Sequence, residues 1–163
     1  MEYFNEVNVN PLNRRTGDCV IRAISTALNQ DWHTTYWGLC LQGAMLCDMP
    51  SGNGVWASYL KDKGYKRYAI PNDCDCYTVE DFCKDNPEGT FILGTGTHAL
   101  CVKDGKYFDI WNSGNEIPEY YTILFQAAEQ AIQALEQQNY GLAKQILIDG
   151  EQAAEEAFVA KDE

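Results

Sequence analysis

Between Thr16 and Gly64 apolar residues recur every three or four positions; beyond Gly64 they come in short blocks of strand length. Val20, Ile24, Ala27 and Leu28 predict a helix opening at Cys19, with Asp18 or Thr16 to cap it. Asp31 caps a second helix through Trp32, Tyr36, Leu39 and Cys40. A loop with Pro50, Gly52 and Gly54 leads to a third, Val55 to Lys63, and Gly64 supplies the left-handed residue after it. The polar stretch before Thr16, with Pro11, reads as an extended arm. Tyr65 to Ile70 is a strand, and Pro71 to Cys76 a turn-rich loop. Thr78 caps a short helix, Val79 to Lys84, with Glu80 and Asp81 where helix starts favour negative charge. Thr90 to Leu93 is a strand, and His98 to Val102 and Lys106 to Ile110 form a hairpin across Asp104-Gly105, since both turn residues tolerate positive φ.

The helical period returns from Ile123 to Ala160. Leu124, Ala128, Ala131, Ile132 and Leu135 share one face, and Leu142, Ala143, Ile146 and Leu147 begin another, continued by Ala154, Ala157 and Phe158. This predicts an antiparallel helical hairpin, broken near Asn139 and weakened at Gly150. The expected fold class is α+β: a domain over 1–121, with helices and then antiparallel strands, and a helical appendage over 122–163. No Lys or Arg occurs between Lys106 and Lys144, so the appendage is acidic.

Charge narrows the partners. The 163 residues carry a formal net charge of −12, which argues against nucleic acid and anionic membranes as partners. The N-terminus lacks the charged and apolar regions of a signal peptide, and no apolar run approaches the roughly 18 residues of a membrane span. The expected location is therefore the cytoplasm of a bacterial or phage-infected cell. There, free thiols are the expectation for the seven cysteines. Cys74-x-Cys76, with Cys83 and Cys47 in reserve, has no second ligand pair, so no metal is expected.

One cysteine stands in a chemical setting. A thiol reacts as thiolate, and the N–H groups of a helix's first turn favour that form, as does a nearby imidazole. Cys19 occupies such a first turn after Gly17-Asp18. Only two histidines exist: His33 reads as a surface residue near the second helix start, and His98 opens the hairpin after Thr95-Gly96-Thr97. His98 is thus the candidate base. A two-residue turn sets Lys103 opposite Lys106 and His98 opposite Trp111, so Asp109 shares the face of His98 and Asn112 points away. Asp109 is the expected orienting group; one extra residue would hand the role to Asn112. Asn13, six residues before Cys19, could pair its amide with the Cys19 N–H as oxyanion donors. Trp56 and Trp111, with Tyr65 and Tyr68, could line a groove, although core packing is the commoner use of aromatics.

The segment Arg15 to Ile24 resembles the nucleophile segment of small papain-like cysteine peptidase homologues carried by bacteriophages and mobile elements. Gly96 to Leu100 and Gly105 to Ser113 are similar to their later segment, and the likeness takes in Trp32 and the stretch Gly54 to Gly64. It spans roughly residues 10 to 121 and omits the helical tail. The resemblance implies a papain-like fold with Cys19, His98 and Asp109 as a triad, and it places Asn13 where such enzymes carry an amide, usually Gln. The expected function is a cysteine peptidase or amidase acting on a peptide or isopeptide bond of a peptide or protein substrate, without metal or organic cofactor. The same acyl-enzyme could go to an amine instead of water. The alternative is a catalytically silent papain-like fold that binds a phage or host protein, or itself, through the helical hairpin.

Overall fold

The structure is a computed structural model that describes residues 3–71 and 76–124. The expected helical hairpin, from 125 onward, lies outside the described residues. Ten elements follow one another: β1 (Phe4–Glu6), α1 (Cys19–Leu28), α2 (Trp32–Leu46), α3 (Asn53–Lys61), β2 (Tyr65–Ala69), α4 (Val79–Asp85), β3 (Thr90–Thr95), β4 (Ala99–Lys103), β5 (Lys106–Asp109) and β6 (Pro118–Leu124). The strands form one mixed sheet in the order β1-β5-β4-β3-β6-β2. The fold is α+β, as the pattern of elements predicts.

Local chemistry accounts for the element ends. Asp31 accepts the Thr34 N–H at the start of α2, and Thr78 and Asp81 form a reciprocal capping box on α4. Gly64, at φ 84°, takes the left-handed conformation after α3. Asp104 and Gly105, at φ 49° and 70°, make the tight turn that pairs Lys103 with Lys106.

The sheet is covered on both faces, so its central strands read as apolar runs. Ile92 and Ala99 pack with Val20, Ile24, Leu39, Trp56 and Leu60 from α1, α2 and α3. Phe91, Leu93, Leu100 and Val102 pack on the other face with Val79, Phe82 and Tyr107. Ile24, Leu39 and Leu60 are wholly excluded from solvent, each worth about 1.5–3 kcal/mol of burial.

Several features depart from the sequence reading. The arm before Thr16 contains a strand: β1 pairs in parallel with β5, and the Val7 N–H donates to the Asp109 carbonyl at 2.8 Å. β6 was not expected, and it runs past the expected boundary at 121/122 into Ile123 and Leu124, which were assigned to a helix. Its residues Tyr120 to Ile123 are aromatic or β-branched, and pairing with both β3 and β2 decides for strand. α2 continues past Cys40 to Leu46 and leaves Trp37, Leu41 and Met45 exposed along one side. Cys76 is disulfide-bonded, contrary to the expectation of free thiols throughout, whereas Cys19, Cys40, Cys47, Cys83 and Cys101 are free. Among the described residues no helix is long and apolar enough to cross a membrane.

Candidate active site

Cys19 is the first residue of α1, and the residue before it anchors that helix end. The Asp18 carboxylate is buried. It accepts the Asn10 amide N–H and the Trp32 indole N–H, each at 2.9 Å, and forms an ion pair with Arg22 one turn along the helix. A charged group is tolerable in such a place only with partners on every side. The arm, α1 and α2 are thereby joined immediately behind the thiol. Arg22 also donates to the Thr16 carbonyl, and burial lowers its pKa while nearby Asp109 opposes that shift.

His98 precedes β4, in a turn closed by the Thr95 N–H donating to the His98 carbonyl at 2.9 Å. No bulge interrupts the β4–β5 pairs Cys101–Phe108, Val102–Tyr107 and Lys103–Lys106. Asp109 therefore lies on the His98 side, and His98 Nε2 is 2.5 Å from Asp109 Oδ2. The remaining ring nitrogen is left for Cys19. The Asp109 side chain is only 3% exposed. Its Oδ2 also accepts the Ser113 hydroxyl at 2.7 Å, and its Oδ1 accepts the Ile110 N–H at 2.7 Å. Asn112 points away and accepts from the Tyr107 hydroxyl and the Gly114 N–H, holding the loop rather than the imidazole. The Trp111 ring packs at 5.3 Å from His98.

Burial disfavours the Cys19 thiolate, but hydrogen bonds from His98 and from the Ala99 and Val20 N–H groups, with the attraction of an imidazolium, bring its pKa below the ordinary value. Burial likewise opposes charge on His98. Hydrogen bonds to Asp109 and Cys19, and the negative charges of both, raise its pKa to about 9. The two shifts belong to one coupled unit, and both favour the thiolate–imidazolium form over the neutral pair.

The thiol and imidazole open into a cavity of about 270 Å³ whose walls include Gly17, Asn53, Trp56 and Tyr120. Tyr120 lies across Gly94, where a Cβ would come within 2.2 Å of its ring. The Arg67 guanidinium stacks on Trp56 at 3.9 Å and on Tyr120 at 4.3 Å. Asn53 Oδ1 accepts from the Trp56 indole and the Tyr120 hydroxyl, both at 3.1 Å. An indole N–H can only donate, so the amide orientation is fixed and Nδ2 is left over. Asn13, in contrast, is exposed at φ 53° and is not a wall of this cavity. His33 is exposed, as expected.

No protein-family model, curated protein or solved structure matches this chain.

The sequence reading brought together Cys19, His98 and Asp109, and these three meet. It missed Ser113, Asn53 and Tyr120. Ser113 follows Asp109 by one turn's length and carried no pattern. Asn53 and Tyr120 meet across 67 positions of sequence, a contact that only the placement of β6 creates.

Proposed function

We propose that this chain is a papain-like cysteine peptidase or amidase that cleaves a peptide or isopeptide bond. The observation carrying this reading is the chain of contacts from the Cys19 thiol to His98 to the buried Asp109. Cys19 Sγ attacks the carbonyl carbon as thiolate, and the imidazolium of His98 then protonates the leaving amine. Water attacks the thioester with His98 as base, releasing the acid and restoring the thiol. Asp109 keeps the imidazole oriented, and Ser113 and the Ile110 N–H keep Asp109 in place. The Cys19 N–H, free at the helix start, is one oxyanion donor. The side-chain amide better placed for the second is Asn53 rather than Asn13, because it shares the cavity and its Nδ2 is uncommitted. An amine in place of water would make the same acyl-enzyme a transferase intermediate.

The silent protein-binding reading draws on the exposed apolar stripe Trp37, Leu41 and Met45 of α2. Alkylation by iodoacetamide across pH, read cysteine by cysteine, separates the two. The peptidase reading expects half-buried Cys19 to react faster at pH 6 than exposed Cys47, and to lose that lead in His98→Ala. Equal rates at both thiols, unchanged by the substitution, would leave the binding module as the function.

A further inference from the structure

The Thr95-Gly96-Thr97 turn walls the thiol cavity on one side and a second, larger cavity of about 710 Å³ on the other. Its other walls include Glu116, Pro118 and Glu119, and among the described residues no basic side chain lines it. A bulge builds this place. Gly94 pairs with Tyr120 and Thr95 with Pro118, so Glu119 is an extra residue in β6. Its carbonyl accepts the Ile70 N–H at 2.9 Å. Its carboxylate lies over Gly96, where a Cβ would meet Oε1 at 3.3 Å. Glu116 is fixed through its backbone, donating to the Ser113 carbonyl and accepting from the Val79 N–H. Neither carboxylate has an ion-pair partner among the described residues. Thr95, at the junction, is only 5% exposed, lines both cavities, and has a hydroxyl with no hydrogen-bond partner. A buried hydroxyl left unpaired costs stability, and here its residue walls both the cavity of Glu116 and Glu119 and the cavity of Cys19.

We propose that this second cavity is a substrate subsite for a basic residue, taking the ammonium of lysine or the guanidinium of arginine beside the bond presented to Cys19. Glu116 and Glu119 supply the charge, and Thr95 an acceptor at the boundary. The assignment rests on the reading of Cys19 as nucleophile. An acidic chain attracts cations everywhere, so the distinguishing feature is locality: two particular carboxylates, one of them positioned by a bulge, govern charge preference at Cys19.

The test uses three methanethiosulfonates with trimethylammonioethyl, sulfonatoethyl and methyl groups. In each, the Cys19 thiolate attacks the sulfenyl sulfur, a mixed disulfide forms and methanesulfinate leaves. Rates at Cys19 are read by peptide mass spectrometry. In Glu116→Gln/Glu119→Gln the cation-to-anion rate ratio should fall about fivefold or more, the order expected for two charges within roughly 10 Å in a partly screened site. The uncharged methyl reagent serves in each variant as the reference for the intrinsic reactivity of Cys19. Asp62→Asn/Glu88→Gln, which changes net charge equally but touches neither cavity, should leave the ratio within about twofold of wild type. An unchanged ratio in the first variant, or an equal fall in the second, overturns the subsite while the nucleophile stands. If His98→Ala fails to slow the methyl reagent, the nucleophile reading falls and the subsite with it.

Discussion

Replacing Asp18 by Asn tests whether the helix end carrying Cys19 is held by the buried ion pair behind it. The side chains of Arg22 and Asp18 are 7% and 4% exposed. An asparagine keeps the volume and one carbonyl acceptor for Asn10 or Trp32, but leaves the guanidinium with the Thr16 carbonyl as its hydrogen-bond acceptor and only the more distant charge of Asp109. Removing one partner of a buried pair costs about 3–5 kcal/mol, most of it from the uncompensated charge. At about 3–4 °C per kcal/mol for a domain of this size, Tm should fall by about 10–20 °C. Urea unfolding followed by tryptophan fluorescence gives the free energy directly, and Trp32 reports on the site itself. The double variant Asp18→Asn/Arg22→Met removes the stranded charge and should recover at least about 2 kcal/mol of the loss. A single-variant cost below about 1 kcal/mol, or a double variant no better than the single, would refute the argument.

Other consequences are open to measurement. His98 has its folded pKa raised to about 9 from 6.5, so its stabilising contribution is complete below about 6.5 and disappears as pH rises through about 9. The stability gap between wild type and His98→Ala, by urea unfolding, should therefore be larger at pH 6 than at pH 9.5. Asp109→Asn removes one of the two charges that raise the His98 pKa, so the alkaline limit of the ion pair, followed by the imidazole NMR shift, should move below about 9. An unmoved limit would deny Asp109 its orienting and charge-stabilising role. Gly94→Ala forces a methyl to within 2.2 Å of the Tyr120 ring, and should cost about 1–3 kcal/mol by thermal melting; Gly94→Ala/Tyr120→Ala should cost less than the sum of the two single changes. Trp37→Ser on the exposed face of α2 should change stability by less than about 0.5 kcal/mol.

The parts of the site legible in sequence were those governed by local rules. Asp104-Gly105 fixes a turn, the turn fixes register, and parity then places Asp109 with His98 and sends Asn112 elsewhere. Cys19 at a helix start followed from the spacing of Val20, Ile24 and Leu28. What failed was non-local. Phe4–Glu6 is too short to announce a strand and exists through its pairing with β5. At Ile123 and Leu124 the apolar residues fitted both a strand and the start of a helical face, and only the neighbours β3 and β2 decide between them. Asn13 satisfied a sequence spacing, yet the loop turns it outward at a left-handed φ, and Asn53 from a different helix occupies the wall.

The place of β6 has a consequence for the order in which the protein can be made. It is the latest of the described strands in the chain, yet it lies inside the sheet, between β3 and β2. Until Tyr120 to Leu124 have left the ribosome, β2 has no neighbour in that sheet and the Tyr120 wall beside Cys19 is missing. The nascent chain must therefore hold Cys19 without a finished pocket until nearly all the described sequence is synthesised. Closure of the sheet over such separations is a slow class of folding event, so the walls around Cys19 are expected to be complete only after translation has passed β6.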